Sequence, residues 1–91
     1  MALVMRKVTL VANTAKLITT TGFGDPVILQ NLSGVLVYLG GDDTVTNNNG
    51  FQLTISPAVN SEINLLNYSG EIWGYAIGGA GDIRVLECIS G

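Results

Sequence analysis

The chain has 91 residues, enough for one domain around one hydrophobic core and too few for two. Charged side chains make up 12% of it, against roughly 25% in an ordinary soluble domain, while apolar ones reach 47% and the mean hydropathy is +0.44. A net charge of −3, with no basic residue from position 17 to position 83, argues against a phosphate-binding surface and so against nucleic acid as a partner.

Residues 6–12 alternate, with Val8, Leu10 and Ala12 on one face, and residues 15–20 continue with β-branched side chains after Asn13-Thr14. Both read as strands. Residues 1–8 read as a partly extended N-terminal arm available for contact, and residues 9–91 as a single β-sandwich domain. Gly22-Phe23-Gly24-Asp25-Pro26 is a cluster of turn formers, and Pro26 biases Asp25 towards extended backbone at the start of a strand over residues 27–32. Ser33-Gly34 separates that run from residues 35–39, which is the spacing of a tight β-hairpin. Thr44-Val45-Thr46 follows Gly40-Gly41-Asp42-Asp43, and Asn47-Asn48-Asn49-Gly50 predicts a loop, because Asn and Gly tolerate left-handed backbone.

Residues 51–55 alternate again, Pro57 closes them, and residues 58–61 lead as a loop into residues 62–66. Tyr68-Ser69-Gly70 turns the chain. The last two strands, residues 71–77 and 82–89, flank Gly78-Gly79-Ala80-Gly81, which reads as a second hairpin loop. In the final strand Ile83, Val85 and Glu87 share one face, and Arg84, Leu86 and Cys88 the other.

About seven to nine short strands at roughly 8–12-residue spacing, without helical periodicity, predict an all-β fold. The expected architecture is a single small antiparallel sandwich or barrel, jelly-roll-like, with almost no helix. Cys88 is the only cysteine, so no disulfide within the chain reinforces so small a core. A surface this poor in charge predicts burial against other subunits, hence a homo-oligomer or a subunit seated on a larger assembly. No stretch approaches the ~20 apolar residues of a membrane span, and residues 8–12 are too short for a signal-peptide core. Neither membrane insertion nor secretion is expected.

The inventory of reactive groups is short. The absence of histidine removes the usual general base, the usual metal ligand and every Ser-His or Cys-His pairing. Asp42-Asp43 is the only adjacent acidic pair, and the other carboxylates are scattered. The same pair with Asn47, Asn48 and Asn49 offers oxygens to Ca²⁺, but in no calcium-loop spacing, and short polar residues that bond their own backbone are ordinary in loops. The glycines at 78, 79 and 81 lead into a strand rather than a helix, unlike a phosphate-cradling loop. The expectation is a protein that is not an enzyme and uses no metal or cofactor.

Tyr68, Trp73 and Tyr75 cluster within eight residues, and Trp73 and Tyr75, two apart, face one side of their strand. Facing the core they would be packing residues; facing outward they would form a subunit interface or a ligand platform, sugars being the usual ligand. Cys88 reads as a small buried hydrophobe.

The order of several segments resembles a group of small tailed-phage virion proteins described as capsid decoration, cement or head-fibre-base proteins. The segments are Val27-Ile28-Leu29-Gln30-Asn31, Val37-Tyr38-Leu39-Gly40-Gly41, Asn49-Gly50-Phe51-Gln52-Leu53, Glu71-Ile72-Trp73-Gly74 and Asp82-Ile83-Arg84-Val85-Leu86-Glu87. The resemblance extends from about Thr9 onward. It implies a β-sandwich made in the host cytoplasm and carried on the virion, bound to the major capsid protein, often as a trimer. It carries over no catalytic residue. Arg6 and Lys7 are the expected capsid contacts, and Tyr68, Trp73 and Tyr75 the interface or ligand aromatics.

Overall fold

The computed structural model describes residues 2–21, 26–55, 61–65 and 68–89. Eight strands form: β1 (Ala2–Leu10), β2 (Ala15–Thr21), β3 (Val27–Asn31), β4 (Val37–Gly40), β5 (Phe51–Leu53), β6 (Glu62–Leu65), β7 (Gly70–Ala76) and β8 (Gly81–Ile89). They make two four-stranded antiparallel sheets, sheet A in the order β1-β8-β3-β6 and sheet B in the order β2-β7-β4-β5. This is the all-β sandwich that the alternation predicts, and its strand order is that of a jelly roll. Residues 2–8, read from the sequence as an arm, belong to β1 and pair along β8.

Alternation explains the layers. Val27 and Leu29 of β3, Ile83 and Val85 of β8 and Leu10 of β1 point inward from sheet A, and meet Ile18, Val37, Leu39, Leu53, Ile72 and Ala76 from sheet B. Each Val, Leu or Ile among them contributes about 1.5–3 kcal/mol when fully buried. A bulge in β2 between Leu17 and Thr19 turns both Ile18 and Thr19 inward. Ile18 then fills the space above Gly74, where a Cβ would lie 2.6 Å from Ile18 Cδ1.

Both expected hairpins are corrected. β3 lies in sheet A and β4 in sheet B, so Ser33-Gly34 carries the chain across the sandwich instead of folding it back within a sheet. The cause is the buried Asn31 side chain. Its Nδ2 donates to Val35 O at 3.0 Å and Thr54 O at 3.2 Å, and its Oδ1 accepts from Ser33 N at 3.0 Å and from the Ser33 hydroxyl. The bonds to Ser33 N and Val35 O satisfy backbone groups of the turn, and the bond to Thr54 O ties it to the chain after β5 in the opposite sheet. Residues 78–81 likewise cross between β7 in sheet B and β8 in sheet A. Gly78 takes a φ of 79°, and its N–H donates to Asn13 Oδ1 at 3.2 Å. Asn13 is itself left-handed, at φ 56°, and donates its own N–H to Ala76 O at 2.7 Å.

Among the described residues, β4 and β5 are the one consecutive pair joined as neighbours in a sheet. Their connection, residues 41–50, is stabilised by its own polar side chains, as expected of Asn-rich turns. Asp42 Oδ1 accepts from Thr44 N at 2.9 Å, while Asn49 Oδ1 accepts from Thr46 N at 2.7 Å and its Nδ2 donates to Thr44 O at 3.2 Å. The expected turn at residues 22–25, Pro57 with most of the loop after it, and the end of the strand at residue 66 lie outside the described residues.

Candidate functional site

Strand alternation leaves each sheet with one face turned away from the core, and the two outer faces differ in chemistry. On sheet A, register aligns Met5, Leu86 and Ile28 in one row and Lys7, Arg84, Gln30 and Glu62 in the next. These side chains line a groove of about 610 Å³ that crosses all four strands, with Leu32 at its rim. Met5 is 79% exposed and Leu3, on the same face, 66%. Apolar side chains this open on a strand gain most by being covered.

The charged row is only partly neutralised. Arg84 Nε and the Asp82 carboxylate lie 2.9 Å apart, with a second bond from the same guanidinium at 3.2 Å. That hydrogen bonding holds the Asp82 carboxyl below the usual carboxylate range, aided by the charges of Arg84 and Lys7. Lys7 and Glu62 take part in neither ion pair of the described residues.

Adjacent strand residues point to opposite faces, so Arg6 and Lys7 part company. Lys7 stands on the outer face and lines the groove. Arg6 turns inward, ion-pairs with the buried Glu87 and donates to Thr19 Oγ1 at 2.6 Å. Thr19 Oγ1 in turn donates to Glu87 Oε1 at 2.6 Å. Arg6 therefore borders the groove as well, but its guanidinium is committed to neutralising a buried carboxylate.

On sheet B the outer face is aromatic. Tyr38 of β4 and Tyr75 of β7 are direct cross-strand neighbours, extended by Ala15 on one side and Gln52 on the other. The next row holds Leu17, Trp73 and Gly40. The inward positions of β7 are Ile72, Gly74 and Ala76, all buried, which leaves Trp73 and Tyr75 outside and half-buried among their neighbours. Trp73 Nε1 donates to Glu71 Oε1 at 3.0 Å, which orients the indole. Tyr68 does not join them. Its ring packs against the core cluster and its hydroxyl donates to Glu71 O at 2.6 Å, so it braces the chain entering β7.

The sequence reading missed Tyr38 as a platform residue and Met5, Ile28 and Leu86 as groove residues. The signal for Tyr38 was present, since Val37 and Leu39 flank it with the opposite orientation. The Cys88 side chain lies outside the described residues. Among the described residues no three of Cys, Asp and Glu gather where a metal ion could be held, and no helix is long and apolar enough to cross a membrane. Asp42 and Asn49, the calcium candidates of the sequence, direct oxygens to the backbone of their own loop.

No family model, curated protein or solved structure matches this chain.

Proposed function

We propose that this chain is a non-catalytic structural subunit of a tailed-phage virion, a decoration protein that seats on the capsid shell and stabilises it by apolar, shape-fitting contact. The observation that carries this reading is the outer face of sheet A. Met5 stands open in a groove whose apolar row lies beside a charged row, with the exposed Leu3 next to it, and apolar contact flanked by charge suits a protein partner. The low charge and the ordered resemblance to small phage head proteins point the same way. The partner is the major capsid protein, the site of action the capsid surface, and the subunit works as a homo-oligomer, with a trimer favoured by the resemblance. Jelly rolls occur in virion subunits and in lectins alike, so the faces carry the reading rather than the fold.

Capsids assembled without the protein test it. Wild-type protein should bind expanded shells at regular sites, and Met5→Asp or Ile28→Asp should lower occupancy at least tenfold while the circular dichroism spectrum stays that of a folded β protein. Lys7→Ala should weaken binding, whereas Arg6→Ala should act mainly on stability. Full occupancy by Met5→Asp would remove this face from the proposal.

The outward aromatics of sheet B favour a second reading, a receptor- or carbohydrate-binding module of a fibre or tail. Pyranose rings stack on indole and phenol faces, and Gln52 beside Tyr38 and Glu71 bonded to the Trp73 indole add polar groups next to the rings. Titration with a glycan panel, followed by Trp73 fluorescence, separates the two. Quenching on glycan addition, matched by calorimetric heats of binding that Trp73→Ala and Tyr75→Ala each abolish, with no binding to shells, would replace the first reading by the second.

A further inference from the structure

We propose that sheet A continues from one copy of this chain into the next, head to tail, with the β1 edge of one copy pairing antiparallel to the β6 edge of its neighbour and Lys7 meeting the neighbour's Glu62. This rests on the homo-oligomer part of the reading above and names the surface that performs it.

Among the described residues β1 and β6 are the two edges of sheet A, each with a strand neighbour on one side. A row of side chains crosses the sheet from Lys7 through Arg84 and Gln30 to Glu62, so the row begins with a cation at one edge and ends with an anion at the other. Four strands at ~4.8 Å spacing set their backbones about 14 Å apart, and the two ion pairs of the described residues use neither. A neighbouring copy that prolongs the sheet brings these two charges opposite one another.

The rest of the register follows from strand polarity. With Lys7 opposite Glu62 of the neighbour, Met5 falls opposite its Asn64, and on the inner face Arg6 and Val4 fall opposite its Ile63 and Leu65. Main-chain hydrogen bonds supply the ladder, the highly exposed Met5 gains cover, and the charge pair selects the register. Two-fold pairing of like edges leaves this charge complementarity unused, and in the registers centred on Lys7 or Glu62 it sets like charges opposite one another. A heterologous contact of this kind closes into a ring or runs on as a filament. It takes up Lys7, Glu62 and part of Met5 at the two margins of the outer face of sheet A, and leaves Ile28, Gln30 and Leu86 in the middle of the groove open to the shell.

Sedimentation velocity of the full chain tests the inference. Wild-type protein should assemble beyond the monomer. Lys7→Glu and Glu62→Lys, each still folded by circular dichroism, should each weaken assembly about tenfold, a change of roughly 1.4 kcal/mol. The double variant Lys7→Glu/Glu62→Lys should restore it. In a Cys88→Ser background, Met5→Cys with Asn64→Cys should give disulfide-linked chains of copies under oxidation, because directly opposed strand residues lie within disulfide reach. Assembly that neither charge reversal weakens, or crosslinked dimers from Met5→Cys alone, would overturn this surface and leave the oligomer standing. A wild-type protein that stays monomeric yet binds shells would overturn the oligomer as well and leave shell decoration intact.

Discussion

Val45 rests on Gly40 so closely that a Cβ at position 40 would lie 2.7 Å from Val45 Cβ. Val45 is buried although Asp42, Asp43 and Thr44 before it and Asn47, Asn48 and Asn49 after it are exposed, so its packing on Gly40 and Gly50 adds an apolar anchor to the polar bonds of the β4–β5 connection. Gly40 is also the cross-strand partner of Trp73, which sets the anchored loop beside the aromatic platform. Gly40→Ala forces two β-carbons apart with no flexible end to yield, and overpacking of that kind costs about 1–3 kcal/mol. The expected outcome is a lower midpoint in urea with an unchanged m-value, together with faster amide exchange in residues 41–50. Gly50→Ala should behave alike, since its Cβ would meet Tyr38 Cβ at 2.6 Å.

Asn31 is fully buried and spends its amide on the backbone of the β3–β4 crossing and of residues 53 and 54. Asn31→Leu keeps the volume and removes every one of those bonds, leaving several buried carbonyls without their donor. Each such orphan costs about 1–3 kcal/mol. Chemical denaturation should show a loss of about 2–4 kcal/mol, larger than that of Ser33→Ala, which removes a hydroxyl and leaves the Asn31 amide in place.

That residue also marks where sequence reading stops. The alternation of residues 27–31 and 37–40 located two strands and their buried faces, because period-2 burial is a local property. Whether Ser33-Gly34 joins them within a sheet or across the sandwich depends on Asn31 reaching residues 53 and 54, more than twenty positions away, and no local pattern carries that. The same holds for residues 78–81, whose path depends on Asn13. Trp73 and Tyr75 were legible as sharing a side. Their outward direction was not, since Ile72 and Ala76 offer an equally apolar alternative and the bulge that drops Ile18 onto Gly74 has no sequence signature. Arg6-Lys7 looked like one basic pair because sequence adjacency hides the alternation that separates them.

The inward turn of Arg6 makes Glu87 its dependent. Glu87 is 5% exposed, and its carboxylate is compensated by Arg6 and by the Thr19 hydroxyl. Arg6→Met strands that carboxylate. The Arg6 side chain is itself 45% exposed, so water enters to soften the loss, and about 1–3 kcal/mol is expected. Arg6→Met/Glu87→Leu should recover part of it, because an apolar pair removes the buried charge. A double variant less stable than either single would refute the inward pairing.

Asp82 gives the fold a small acid-side dependence. Its folded carboxyl titrates below the ordinary aspartate range, chiefly through its hydrogen bond from Arg84. A depressed folded value stabilises the protein above the unfolded value, and that contribution is lost as pH falls through the folded one. Solvent screens the pair, so its contribution is small. The melting temperatures of wild type and Asp82→Asn should differ slightly at neutral pH and converge as pH falls below the ordinary aspartate range.

Trp73 offers the sharpest separation of platform from core. A tryptophan packed between the sheets would cost about 3–5 kcal/mol on truncation to alanine. On the outer face it loses mainly its contacts with Leu17 across the strand pair and its bond to Glu71, for which about 0.5–1.5 kcal/mol is the expected scale. Its fluorescence should accordingly be quenched by small solutes in the folded monomer, and Glu71→Ala should broaden the indole's orientations while leaving the melting temperature nearly unchanged. Assembly or ligand binding over sheet B would shield the indole and blue-shift its emission, whereas binding confined to the groove of sheet A would leave it untouched. The same side chain thus reports which face a partner covers, and a truncation cost above about 3 kcal/mol would return it to the interior.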